Sequence, residues 1–159
     1  MASARQHTYA TEVVWTGNLG TGTDTYRSYS RDHRVSAAGV PAFLGSADAA
    51  FRGDAGRWNP ELMLLAALSQ CHLLSYLYVC AANGVVVTGY SDQAVGTMEE
   101  TGDGGGHFTR VLLRPAVEVA SATMTGKARA LHAEANRLCF IANSVNFPVH
   151  HEPSIRVAP

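Results

Sequence analysis

A chain of 159 residues, 47% hydrophobic and 16% charged, is long enough to bury a core of its own and is expected to form a single domain over 1–159. Its formal net charge of −1 and the lack of any run of Lys or Arg argue against nucleic acid and anionic lipid as partners. Three cysteines, an odd number, do not make a secreted disulfide framework, and residues 1–10 carry no apolar leader, so the cytoplasm is the expected compartment.

Thr8 to Trp15 alternates and is rich in strand formers, and the glycines of Gly17-Asn18-Leu19-Gly20-Thr21-Gly22 turn the chain into a second strand-like stretch, Thr23 to Val35. These glycines do not read as a phosphate loop, because such a loop must open a helix and Tyr26, Tyr29 and Val35 continue as strand. Ala37 to Trp58 is less periodic and is expected to be a loop or short helix.

A long helix follows. Asn59 suits the N-cap, Pro60 the first helical position, and Glu61 the positive helix end, while Gly84 after Asn83 suits the stop. Leu62 to Ala82 is 21 residues without a formal charge, enough to span a bilayer. Ser69, Gln70, His72 and Ser75 near its centre, with no basic cluster at either end, speak against a membrane. A helix apolar on nearly all sides is then enclosed by protein, and in a chain this small a second copy is the expected cover.

Val85 to Met98 and Phe108 to Val119, separated by Thr101-Gly102-Asp103-Gly104-Gly105-Gly106, are expected to form a hairpin. Gly126 to Asn143 reads as a second helix, with Leu131, Ala135, Leu138 and Ala142 at helical spacing, and His150 to Val157 as a last strand. Strands grouped into hairpins between two helices imply an α+β fold with an antiparallel or mixed sheet.

The chemistry centres on the thiols. Cys71 lies inside the first helix among polar neighbours and is the leading candidate for reactivity. Cys80, nine residues on, falls on the opposite face about 13 Å along the axis, which excludes a bond between the two within an intact helix, and it reads as a buried core residue. Cys139 is placed on the apolar side of the second helix. His72 faces away from Cys71, the seven histidines show no zinc spacing, and His150 and His151 would point to opposite faces of a strand, so no metal is expected. Leu64, Leu68 and Phe147 are candidates for lining a pocket, with core packing the simpler account of each.

The stretch Arg57-Trp58-Asn59-Pro60-Glu61-Leu62-Met63-Leu64-Leu65-Ala66-Ala67-Leu68-Ser69-Gln70-Cys71-His72 resembles the Asn-Pro-Glu…Ala-Ala-x-x-x-Cys motif of the OsmC/Ohr family of thiol-dependent peroxidases. Cys139 with Phe140-Ile141-Ala142-Asn143-Ser144-Val145 is similar to that family's second cysteine region. The resemblance implies an OsmC-like α+β fold whose strands wrap two central helices in an intertwined homodimer. It also implies reduction of organic hydroperoxides, and of hydrogen peroxide as a further substrate, without a bound cofactor. Cys71 would be peroxidatic and Cys139 resolving, with a Cys71–Cys139 disulfide reopened by an external dithiol. The family pairs an arginine with the glutamate that maps to Glu61. Arg52 is the first candidate, Arg34 and Arg31 from the N-terminal strands are the alternatives, and Arg57 comes last.

Ten residues separate Glu61 from Cys71, about 15 Å of helical rise, so composite sites between two protomers are expected. The competing expectation is a family member that uses the same thiols as a redox sensor or as a binder of small electrophiles.

Overall fold

The computed structural model describes residues 5–159. Contacts divide the chain into two compact units, one ending at Met63 and one over Leu64–Pro159.

The first unit is built on an antiparallel sheet of β1 (Glu12–Trp15), β2 (His33–Ala37) and β3 (Val40–Gly45) in the order β1-β2-β3. Val14 stands opposite Arg34 and Trp15 opposite His33. Two expectations change here. The second strand begins only at His33, because the residues before it are taken up by turns: the Asn18 carboxamide oxygen accepts from the amides of Gly20 and Gly22 at 2.9 and 3.0 Å. The segment after Ala37, expected as loop or short helix, opens with β3. A two-residue turn joins β2 to β3, and Gly39 at φ 80° supplies the left-handed backbone that this turn needs. A short 3-10 turn at Ala49–Phe51 follows, capped by the Asp48 carboxylate, which accepts from the Ala50 amide at 2.8 Å.

Helix α1 (Pro60–Ala82) starts where its sequence says. The Asn59 side-chain oxygen accepts from the Leu62 amide at 2.8 Å. At the other end Val85 N–H reaches the Cys80 carbonyl at 2.9 Å and Gly84 N–H the Ala81 carbonyl at 3.2 Å, with Gly84 at φ 70°. This is the paired C-terminal motif for which glycine is favoured. By length and composition α1 is also able to cross a membrane.

The second unit folds its strands into two mixed sheets. β4 (Val87–Asp92), β7 (Pro115–Val119) and β9 (Ser154–Val157) form the order β4-β7-β9, and β5 (Val95–Glu100), β6 (Gly106–Leu113) and β8 (Val149–His151) form β5-β6-β8. The expected hairpin is present but bends in its middle, so each long strand becomes two. The Asp92 carboxylate holds the bend, accepting from the Arg114 amide at 2.7 Å and from the Ser69 hydroxyl at 2.5 Å. The last strand breaks at the same level, between His151 and Ser154, because β8 and β9 run parallel to β6 and β7 on either side of the bend.

Helix α2 (Thr125–Leu138) presents Ala128, His132 and Ala135 inward. Two apolar clusters result. Tyr76, Val79 and Cys80 of α1 pack with Val117, Val119, Ala128 and Ala135, and Leu68 packs with Val111 and Leu113. The mixed α+β architecture with two helices is thus as expected.

Candidate active site

Cys71 lies half-buried on α1, one turn beyond the core residue Leu68. Cys139 is buried, and its position corrects the expected helix. α2 stops at Leu138 instead of running to Asn143, and Cys139 takes an extended conformation, φ −70° and ψ 111°. Side chains end the helix: the Asn143 carboxamide donates to the Arg137 carbonyl at 2.9 Å, and the Ser144 hydroxyl donates to the Phe140 carbonyl at 2.7 Å. Those bonds satisfy carbonyls that another helical turn would have used.

The extended residue brings the two thiols together, close enough for Cys71 to raise the Cys139 thiol. Both thiols are free. The next amides also serve sulfur, with Ile141 N–H directed to Cys71 Sγ and Ala142 N–H to Cys139 Sγ, each at 3.5 Å. Burial, then the neighbouring Cys71, pushes the Cys139 thiol up to about 11, against the opposing pull of the Ala142 and Ile141 amides. Cys139 is therefore held as an S–H donor. Cys80, in the core, is raised as well, mainly by burial.

Cys71 opens into a cavity of about 380 Å³ bounded by Leu74, Ser75, Tyr78, Leu138 and Phe140. Its lining is almost wholly apolar. Leu64, Leu68 and Phe147, considered as lining residues, pack instead around Val111 and Leu113 because the strands cover that side of α1.

The first unit has its own cavity of ≈ 420 Å³, whose wall includes Trp15, Tyr29, Arg31, His33, Phe51 and Glu61. Arg31 is thus the arginine brought to the same cavity as Glu61. Its guanidinium is clamped, with the carbon 4.2 Å from the ring centres of both Tyr26 and Tyr29 and bonds of 2.7 and 2.8 Å donated to the Tyr29 and Tyr26 carbonyls. Arg52 does not line this cavity. It is exposed, at φ 66°, on the residue that ends the 3-10 turn. Arg34 pairs with Glu12, and Arg57 with Asp32 and Asp54.

His72 is buried away from the thiol cavity, its Nε2 3.0 Å from His132 Nδ1, and the two rings stack with centres 5.3 Å apart. His151 lies within 5.6 and 5.9 Å of those rings. Among the described residues no group of three His, Cys, Asp or Glu has the arrangement of a metal site.

The reading of the residues missed the Tyr26–Tyr29 clamp, the amide contacts to sulfur and the histidine trio. Only the trio left a trace, in histidines at apolar positions.

A thiol on the long helix of a mixed α+β fold, open to an apolar cavity and beside a second thiol at the end of the other helix, defines a class of cysteine-centred proteins. The sequence profile described as OsmC-like protein matches residues 53–154, and the chain belongs to that family. Among solved structures it is similar to an OsmC-like protein of unknown function from Vibrio cholerae, with 30% identity, a TM-score of 0.83, and 94% of this chain and 100% of that one covered. An organic hydroperoxide resistance protein from Elizabethkingia anophelis shares the fold at 15% identity and TM-score 0.70, covering 98% of this chain and 100% of that one. So does an organic hydroperoxide resistance protein, OsmC, from Legionella pneumophila, at 16% identity and TM-score 0.67 with 97% and 100% covered. No curated protein sequence matches the chain.

Proposed function

We propose that this protein is a thiol-dependent hydroperoxide reductase. The observation that carries the reading is the closeness of Cys71, which lines the apolar cavity, to Cys139 at the end of α2, with consecutive amides of one turn reaching both sulfurs. The hydroperoxide resistance named for two proteins of the same fold supports it.

The Cys71 thiolate attacks the hydroxyl oxygen of R–O–OH. The O–O bond breaks, the alkoxide takes a proton from solvent and leaves as alcohol, and sulfur is oxidised to the sulfenic acid S–OH. The Cys139 sulfur then attacks Cys71 Sγ, its proton leaves with the hydroxyl as water, and a disulfide forms. An external dithiol returns both thiols and becomes a disulfide itself. The apolar lining favours a bulky organic R group over hydrogen peroxide.

Arg31, held by two tyrosine rings, supplies the cation and Glu61 its carboxylate partner. α1 exposes Leu74, Leu77 and Tyr78, and the first unit exposes Val13, Tyr26 and Trp58. Apolar residues so placed fit a homodimer in which Arg31 and Glu61 of one protomer face Cys71 of the partner subunit.

Consumption of cumene hydroperoxide and of hydrogen peroxide with a dithiol present tests the activity. Wild type should turn over and Cys71→Ser should lose at least about 1,000-fold. No turnover with any dithiol removes the enzyme reading and leaves the redox sensor or electrophile binder. Mixing Cys71→Ser with Glu61→Ala subunits tests composite sites, because only shared sites recover activity in the heterodimer.

A further inference from the structure

We infer that the turn from Cys139 to Ala142 is a donor cradle for the Cys71 sulfur, with the Ile141 backbone N–H acting as a catalytic group on the reacting atom. The inference rests on the reactive role given to Cys71 above and adds a function for the segment that the resolving step does not require.

Two donors from this one turn reach Cys71. Ile141 N–H lies 3.5 Å from Cys71 Sγ, and the Cys139 thiol, held protonated, lies close enough to Cys71 to be raised by it and is the second donor. A hydrogen bond donated to a thiolate stabilises it relative to the thiol, and a buried donor does so more strongly than one in water. The Ile141 donor is rigidly placed. Its side chain packs on the Leu68, Val111 and Leu113 cluster, and Ser144 N–H closes the turn on the Ile141 carbonyl at 3.0 Å. Ala142 N–H meanwhile points to Cys139 Sγ at 3.5 Å, and the Ile141 amide acts on Cys139 as well, so two consecutive amides face the thiol pair.

This arrangement gives Cys139 two successive parts. Before the peroxide arrives, its S–H donates to the Cys71 thiolate. Once Cys71 is a sulfenic acid, the same proton departs with the hydroxyl as water while the sulfurs join. The Ala142 amide faces the Cys139 sulfur and supports its loss of that proton as the attack begins. The extended backbone at Cys139, which ends α2 early, is what places both donors.

The rate of iodoacetamide alkylation at Cys71, located by mass spectrometry and measured across pH, reads the thiolate directly and needs no peroxide. A protein assembled by ligation at Cys139, joining residues 1–138 to a synthetic 139–159 segment with an ester in place of the Ile141 amide, removes that N–H while keeping every side chain, and an ester at Ser144 controls for weakened turn carbonyls. Alkylation of the Ile141 ester protein at pH 6–7 should fall about three- to tenfold, with the pH midpoint displaced upward. Cys139→Ala should fall similarly and Cys139→Ser, which keeps a donor, should stay near wild type. An Ile141 ester protein that alkylates like its all-amide counterpart overturns the role of Ile141, and Cys139→Ala matching Cys139→Ser overturns that of the thiol. If the ester protein fails to fold, the Cys139 pair still decides. Absence of hydroperoxide turnover in wild type would defeat the proposed function without touching this readout.

Discussion

The two units hold their functional residues by different means. Among the described residues every buried hydrophobic lies in the unit over Leu64–Pro159, whereas the buried ones before Met63 are Gly17, Gly45, Ser46 and Asn59. The second unit therefore fixes its thiols against a packed core. The first fixes Arg31 with ring faces, carbonyls and turn hydrogen bonds while much of its apolar surface stays exposed. A nucleophile must be positioned against a reacting bond to a fraction of an ångström, which packing does well. A cation acts over a longer range and tolerates a softer mount.

Substitutions in the two units should separate these roles. Leu68→Ala, in a fully buried site, should cost about 3 kcal/mol in urea unfolding, whereas Val13→Ala on exposed β1 should change stability by less than about 0.5 kcal/mol. An equal cost at both positions would erase the contrast. Arg31→Ala should lower kcat/KM for cumene hydroperoxide by about 50-fold, roughly 2.3 kcal/mol of transition-state stabilisation, with little change in melting temperature. Arg52→Ala should change it less than about twofold, and the reverse ranking would return the activating role to Arg52.

Acid should act on the second unit through its buried histidines. Burial, then His151, lowers His72 to about 4 against the opposing pull of Asp92. Burial, then His72, His151 and Arg129, lowers His132 to about 3. Both rings are neutral in the folded state while the unfolded chain protonates near 6.5, so their contribution is complete above about pH 6.5 and is lost as pH falls towards 4. Chemical unfolding at pH 7 and pH 4.5 should differ by on the order of 2 kcal/mol from this pair, and a His72→Gln, His132→Gln double variant should lose that part of the slope. A gain in stability is expected at Arg52, whose φ of 66° is one that glycine adopts without strain. Arg52→Gly should raise stability by up to about 1 kcal/mol in thermal unfolding.

The long helix was legible because its signals are local. Asn59, Pro60 and Gly84 act on backbone groups within a few residues, so they work in the order in which they are written. β3 was not legible, since Pro41 and an Ala-Gly turn hide a short strand whose partner supplies most of its definition. The end of α2 was not legible for a related reason: Leu138, Cys139 and Ala142 keep helical spacing, yet Asn143 and Ser144 draw the carbonyls of Arg137 and Phe140 out of the helix.

What the amino-acid order determined by itself was the class of fold, the bounds of α1 and the two thiols worth pairing. Which arginine shares a cavity with Glu61, which sulfur keeps its proton and which amides address sulfur were decided by tertiary structure alone. The reason is one of range. Capping and periodicity act within a turn or two of chain, whereas ring faces around a guanidinium and the approach of thiols 68 positions apart exist only once distant segments have packed.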